Sequence, residues 1–370
     1  MKKLSLVLAI LMAFTFCFTG CGEKTAVPAE ASRTALIVSG TEYSLAECNL
    51  YFCEQLFGLL QQYGDVASYL GLDVSQGTEA MKEQTFSYSS DGTWFGYFLD
   101  GVKDQISQVQ ALNDFAKSKG LSLTDDELAE IEDEMKALSE YAETNGYDSA
   151  EAYLADCYYE GITEDLYRQY LQKNYLADKA YSDYATGVSF TQTEVKEHYA
   201  QMGYEEGEND YRVTSMHHVL IMAEASEDGT YSDEAIAASR ARALELYDEW
   251  SKGDRTEESF TQMAIQYSED PGVVSNDGYY GSIGKGTMVE NIDSWLFEEG
   301  RQVGDTAIIE NVGSYVGTHI VYFAGYGDLY CDILSLNDLQ SNAMNDWFTE
   351  LMAFYSPKEG EAYDQIGLID

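Results

Sequence analysis

The clearest hydrophobic pattern in the chain lies between residues 93 and 119. Trp94, Phe98, Val102, Ile106, Val109, Leu112 and Ala116 recur at steps of three and four, with polar residues between them. That spacing lays one apolar stripe along a long helix, and Gly120 offers the Cβ-free residue that a helix C-terminus favours. Upstream, residues 35–44 read as a short strand and turn leading into a helix over 45–63 rich in Leu, Phe and Tyr. The polar stretch 73–91 carries Gly and Ser and reads as loop or broken helix. Two later helices open on the same device: Thr124-Asp-Asp-Glu127 and Thr191-Gln-Thr-Glu194 are capping boxes. Helical periodicity continues over 149–157 and 163–184, so nearly all of 35–204 is predicted helical. Near the end, 342–355 reads as a final helix with Trp347, Leu351 and Phe354 on one face.

After residue 211 the pattern changes. Residues 213–221, Val-Thr-Ser-Met-His-His-Val-Leu-Ile, form a β-like run that holds two of the four histidines. A helix follows over 232–252, with Ala235, Ala238, Ala241, Leu244 and Tyr247 as its stripe. Thr256 is placed to cap a second helix carrying Phe260, Met263, Ala264 and Tyr267. Next come Ser268-Glu-Asp-Pro-Gly272, glycines at 278, 281, 284 and 286, and a closing β-like run over 317–321 that contains His319. The expected order is strand, helix, helix, strand, short helix, two strands. The glycines allow tight backbone paths around a small sheet. They are no phosphate loop, because no Gly-Lys-Ser/Thr element and no helix start follow them as such a loop requires.

In its order and spacing, the stretch 211–326 resembles a parvulin-type peptidyl-prolyl isomerase domain. The resemblance implies that His218 and His319 are the paired core histidines and that Asp270 faces the substrate carbonyl. It also implies a proline pocket at Tyr280, Met288 and Ile292, where the family has Leu, Met and Phe. Met288 is retained; the Leu position has become aromatic and the aromatic floor aliphatic. Phospho-specific members carry basic residues after the first strand, whereas this chain has Met222, Ala223 and Glu224, which argues against phosphoserine-proline selectivity. The helical region resembles that of PrsA- and SurA-type foldases, on Gly120-Leu-Ser-Leu-Thr-Asp-Asp-Glu-Leu128 ahead of the parvulin segment. By that resemblance 35–205 is a helical chaperone-like domain, completed by a C-terminal segment 331–370, with the parvulin domain inserted between. The expected fold is therefore α+β: a mostly helical domain plus a small four-stranded sheet with helices.

Other chemistries find little support. Adjacent residues on a strand point to opposite faces, so His217 turns away from His218 and reads as structural or exposed. The same geometry disfavours a metal site built on the two, and no metal or other cofactor is expected. Serine–histidine–aspartate hydrolysis has no motif. Asp270 has a plain reading as well, since aspartate is common in Asp-Pro-Gly turns for turn chemistry alone.

The N-terminus bears on location. Lys2 and Lys3 precede an apolar run over 4–18 and then Thr19-Gly20-Cys21-Gly22. This describes a secretory signal, too short to span a bilayer comfortably. The cysteine after Thr-Gly resembles a bacterial lipobox, which makes 1–20 the signal, Cys21 the lipid attachment site and 21–34 a tether. Acyl chains contribute about 0.8 kcal/mol per buried methylene, enough for two or three to anchor stably. The expected location is the extracytoplasmic face of the cell membrane.

With 370 residues and 45% apolar content the chain can build about two domains. Its net charge of −44 becomes −46 without Lys2 and Lys3, which argues against nucleic acid and anionic headgroups as partners. Apart from Cys17 in the signal and Cys21, the cysteines are Cys48, Cys53, Cys157 and Cys331, with no CxxC or zinc spacing. Cys48 and Cys53 are expected as buried free thiols; a disulfide through Cys157 or Cys331 stays open.

The resulting expectation is a membrane-anchored extracytoplasmic foldase that speeds X–Pro isomerisation in partly folded exported polypeptides. The alternative is a non-catalytic holdase whose parvulin module only binds extended clients, a reading favoured by the altered pocket. A solute-binding lipoprotein would need alternating α/β lobes, against which the long helical N-terminal half argues. Homodimerisation through the helical region stays open.

Overall fold

The computed structural model describes residues 29–369 apart from Glu206 and Ser314. The signal segment and Cys21 lie outside the described residues. In chain order the elements are β1 (Thr34–Val38), β2 (Thr41–Ser44), α1 (Leu45–Tyr69), α2 (Trp94–Lys119), α3 (Asp125–Thr144), α4 (Ala150–Cys157), α5 (Glu164–Gly187), α6 (Gln192–Tyr199), β3 (Arg212–Met222), α7 (Asp233–Ser251), α8 (Glu257–Tyr267), α9 (Val273–Asn276), β4 (Tyr279–Ile283), α10 (Glu290–Leu296), β5 (Thr306–Val312), β6 (Val316–Leu329), α11 (Tyr330–Met352) and β7 (Pro357–Glu359). They divide into two units: the described residues up to Ser189 together with those from Asn342, and Phe190–Ser341. The fold is the expected α+β, a mostly helical unit and an α/β unit with a four-stranded sheet.

In the first unit, α2 forms as its periodicity predicts. Thr93 accepts a hydrogen bond from the Gly96 amide, Gly120 closes the helix at φ 70°, and all seven stripe residues are buried. The stripe packs against α1 and α5. Helix α1 outruns its predicted end: Tyr63 leaves helical geometry at φ −138°, and the helix resumes to Tyr69. The capping box at Thr124 is complete, with its hydroxyl accepting from the Glu127 amide and Glu127 accepting from the Thr124 amide.

One expectation for this unit holds and one needs correction. The strand and turn read over 35–44 appear as a hairpin of β1 and β2 through Ser39 (φ 50°) and Gly40 (φ 86°), a two-residue turn whose positive φ angles match the twist of antiparallel strands. β7 adds to the other side of β1, in the order β2-β1-β7. β7 has only three residues and begins with proline, so it carries no periodicity to read. The final helix starts at Tyr330 and ends at Met352, which leaves Phe354 beyond it and 81% exposed. Trp347 does pack inward, stacked on Tyr184 at 3.9 Å and edge-on to Phe115.

The second unit is built on an antiparallel sheet of order β4-β3-β6-β5. Pairing of His217 with Tyr322 and Val219 with Ile320 puts these on one face, where α7 and α8 cover them with Ala243, Leu246, Trp250, Phe260 and Met263. The predicted stripe of α7 is rotated. Ser239, Ala243, Leu246 and Trp250 face the sheet, while Ala238, Ala241 and Leu244 are exposed. Alanines recur on several faces of this helix and cannot mark the buried one; Trp250 and the Ser239 hydroxyl, 3.1 Å from that of Thr318, do. Thr191 forms the second capping box, starting α6. That helix meets the start of α11 through the Ser335 hydroxyl on the Val195 carbonyl, at 2.6 Å.

Among the described residues no helix is long and apolar enough to cross a membrane. Cys48, Cys53 and Cys331 are free thiols, the first two buried, and the Cys157 sulfur lies 3.2 Å from the Tyr147 hydroxyl. Burial pushes the Cys48 and Cys53 thiols up, so they stay protonated at neutral pH.

Candidate active site

The opposite face of the second sheet holds the candidate chemistry. In the register of β3 and β6, His218 pairs with Val321 and Leu220 with His319, so the two histidines are diagonal neighbours on one face. Their rings lie nearly parallel with centroids 5.3 Å apart, and Nδ1 of each is 3.1 Å from Nδ1 of the other. His217 points the other way, as alternation requires. It is buried, with Nε2 2.9 Å from Glu257 and Nδ1 3.2 Å from the Thr261 hydroxyl, so its role is structural.

Asp270 is brought in by the segment after α8, which docks on β3 where β4 no longer covers it. The Ser268 hydroxyl accepts from the Leu220 amide and the Glu269 amide donates to the Leu220 carbonyl. Asp270 then accepts three hydrogen bonds: from Gly272 N at Oδ1, and from His218 Nε2 (2.9 Å) and the Tyr280 hydroxyl (2.6 Å) at Oδ2. Tyr280 is delivered by β4, which approaches β3 closely only because residue 278 is glycine. A Cβ there would lie 2.6 Å from that of Ala264 and 2.9 Å from the His218 carbonyl oxygen, at a φ of 76°. Tyr315, just ahead of β6 and on the same face as His319, places its hydroxyl 2.9 Å from His319 Nε2.

Electrostatics give this chain of groups a direction. Burial pulls the His319 pKa down to about 4, with the neighbouring His218 adding to the effect. Burial also lowers His218, against the pull of Asp270. Asp270 is drawn upward by its own burial, yet the Tyr280 and His218 hydrogen bonds outweigh this and hold it below the usual carboxylate range. At neutral pH the site is thus one carboxylate and two neutral imidazoles. A carboxylate only accepts, so His218 donates from Nε2 and its Nδ1 is bare. His319 must then donate from Nδ1, and its bare Nε2 accepts from Tyr315.

Beside this chain lies an apolar cluster of Met216, Ile283, Ile292, Leu296, Val321 and Phe323. Tyr280, Met288 and Ile309 are half-buried around it. The structure therefore places Tyr280 and Met288 where a ligand can reach them, with the Tyr280 ring edge-on to His218 at 5.0 Å. Ile292 is sealed at 2% exposure and supports the cluster from within; it does not line an open surface. Sequence reasoning missed Tyr315 and Ile309. Each is visible only once strand parity is known: 315 and 319 share a face, and Ile309 pairs with His319. Among the described residues no group of three or more His, Cys, Asp or Glu could hold a metal ion.

The sheet, its flanking helices and the paired histidines lie in a stretch that is similar to a rotamase domain. Residues 218–325 match the family model described as "Rotamase: PPIC-type PPIASE domain". Among solved structures, the chain is similar to PrsA from Bacillus subtilis at 19% identity, covering 74% of this chain and 91% of that one, with a TM-score of 0.33. It is also similar to the foldase protein PrsA from Lactococcus lactis at 12% identity, covering 91% and 98%, with a TM-score of 0.36. A third similarity is to the SurA-like chaperones PEB4 and Cj1289 of Campylobacter jejuni, at 10% identity, 88% and 98% coverage and a TM-score of 0.28. At these values the superpositions establish nothing about function. No curated protein matches the chain.

Proposed function

We propose that the chain is an extracytoplasmic foldase whose rotamase domain isomerises X–Pro bonds in exported polypeptides, while its helical unit holds partly folded clients. The observation that carries this reading is the hydrogen-bonded chain of half-buried Asp270 with buried His218 and His319, beside the half-buried Tyr280 and Met288 in the matched stretch. Rotation about an X–Pro bond is slow because it breaks amide resonance, against a barrier of about 18–20 kcal/mol. The protein needs no nucleophile for this. It has to seat the proline ring, exclude water and bind the twisted amide better than the planar one. Neutral imidazoles suit that task, since they orient hydrogen bonds without drawing in the water a charged pair would demand.

Isomerisation of an Ala-Xaa-Pro-Phe peptide by the soluble chain lacking its signal is the direct test. A rate well above background is expected, falling about tenfold or more in Met288→Ala, for which the loss of about 1.4 kcal/mol of transition-state binding suffices. No rate from a well-folded chain would favour the holdase reading, to which the sealed Ile292 and the phenol at position 280 already lend weight.

Lipid anchoring at Cys21 completes the proposal, supported by the basic start, the short apolar run and the small residues before the cysteine. Cys21→Ala is expected to move the protein out of the membrane fraction; retention there would refute the anchor.

A further inference from the structure

We infer that Tyr211 and Lys285 are positioning residues for the candidate site: together they fix the loop that carries Met288. Tyr211 lies just ahead of β3, where the chain enters the sheet, and Tyr330 opens α11, where the chain leaves it. The two points are tied backbone to backbone. The Tyr330 amide donates to the Tyr211 carbonyl at 2.8 Å and the Cys331 amide to the Asn209 carbonyl at 3.1 Å. Their rings stack with centroids 5.0 Å apart, and Phe297, just past α10, meets the Tyr211 ring edge-on at 5.6 Å. The loop between β4 and α10 seats on this aromatic clamp. The Lys285 amide donates to the Tyr211 hydroxyl at 3.1 Å. The Lys285 ammonium stands 4.6 Å from the ring centroid of Tyr211 and 5.6 Å from that of Phe297, where the ring quadrupoles attract it.

Two further contacts shape the loop, and both are local. Gly286, at φ 79°, donates to Asp293 of α10 at 2.7 Å, and the Thr287 hydroxyl bonds back to the Gly284 carbonyl at 2.8 Å. The Tyr211 hydroxyl instead ties the loop to a point 74 residues earlier in the chain. Gly284 is buried there: a Cβ on it would lie 3.4 Å from the Tyr330 ring and 3.5 Å from the Tyr211 hydroxyl, so the loop rests on both side chains. Met288 follows three residues after Lys285 and packs, like Tyr280, on the apolar cluster. The height of Met288 against that cluster is therefore set where the chain enters and leaves the sheet. A displacement of residues 209–211, or of the first turn of α11, carries the loop with it. Tyr211 and Lys285 act through Met288 and touch no reacting atom.

The effect on rate rests on the isomerase reading; the placement of the loop does not. Carbon-13 methyl NMR of Met288 and amide hydrogen exchange, in the signal-free chain at pH 7, read the placement directly. In the wild type the Lys285 amide is expected to be protected, although the residue is exposed. Free exchange there would overturn the inference without any variant having to fold. Tyr211→Phe keeps the stacked ring and removes the acceptor. Its Lys285 amide should exchange about tenfold faster, as the loss of one hydrogen bond allows. The Met288 methyl should shift or broaden, while amides of β6 keep their wild-type protection. KM for an X–Pro peptide should rise about threefold with kcat little changed, the mark of weakened seating. Lys285→Ala, at an exposed position, is expected to shift the same methyl. An unmoved Met288 methyl in either variant would overturn the inference. A Tyr211→Phe chain that loses β6 protection would overturn it too, since the clamp would then merely support the sheet. Shifted methyls in a chain with no isomerase activity would uphold it and sink the isomerase reading instead.

Discussion

Lowering the pH from 7 to 4 is expected to destabilise the second unit by roughly 3 kcal/mol through His319 alone. Burial among β3, β6 and Tyr315 holds this imidazole neutral down to about pH 4, against 6.5 for a free one. Between those values the unfolded chain binds a proton that the native state refuses, so stability rises with pH across the window. The contribution is complete above pH 6.5, shrinks as pH falls, and is gone below about 4. His218, also lowered by burial, adds in the same direction. Asp270 extends the loss further into acid, because its folded pKa lies below the ordinary value. Urea-dependent hydrogen exchange on peptides from β6, corrected for intrinsic exchange, reads the effect in the intact chain. A flat profile between pH 4 and 7 would show that the histidines are not buried as neutral groups.

Glu54→Gln should stabilise the first unit by about 2 kcal/mol at pH 8 and by little near pH 4.5. Glu54 sits on α1 with a thin exposed edge, its Oε1 accepting from the Tyr158 hydroxyl (3.1 Å) and the Tyr167 hydroxyl (3.4 Å). Burial pushes its pKa up to about 7; the two tyrosines pull against that, and Glu134 adds a smaller upward push. Here the native state keeps a proton that the unfolded chain releases above pH 4.5, so stability falls as pH rises toward 7 and then levels off. Glutamine keeps the acceptor for both tyrosines and removes the ionisation. The figure is set below the full linkage value because the Glu54 residue as a whole is only partly buried. Urea unfolding of wild type and variant at pH 4.5, 6 and 8 measures it; a constant difference across the series would rule out ionisation as the cause. The two units thus carry pH slopes of opposite sign, which separates their transitions in one experiment.

Legibility in the sequence followed the strength of the local signal. α2 and the capping boxes at Thr124 and Thr191 could be read because seven apolar residues, six of them large, recur at helical steps and two short polar motifs each act within one turn. The stripe of α7 could not, since small alanines bury little area wherever they fall and the helix takes its orientation from Trp250 and the sheet beneath. β7 had no local signal at all. In the site, the histidines and Asp270 were legible from their order along the chain, and the structure brings them together. Ile292, expected to line the pocket, is sealed instead, because only packing decides which side chain of α10 is buried. Tyr315 escaped notice because only strand parity shows that it shares a face with His319, where its hydroxyl meets Nε2.

The hairpin at the beginning of the first unit has a further consequence for how the chain is made. β1 takes β7 as its second neighbour, pairing Leu36 with Glu359 across nearly the whole sequence. Gly367 then presses on Phe52, and Ile366 enters the same core. A nascent chain that stops short of Pro357 cannot close this sheet, however much of its helix content has formed. Phe190–Ser341, by contrast, holds all four strands of its own sheet within one uninterrupted stretch. During vectorial synthesis the second unit therefore has its parts in hand first, and the helical unit is the last piece to be finished.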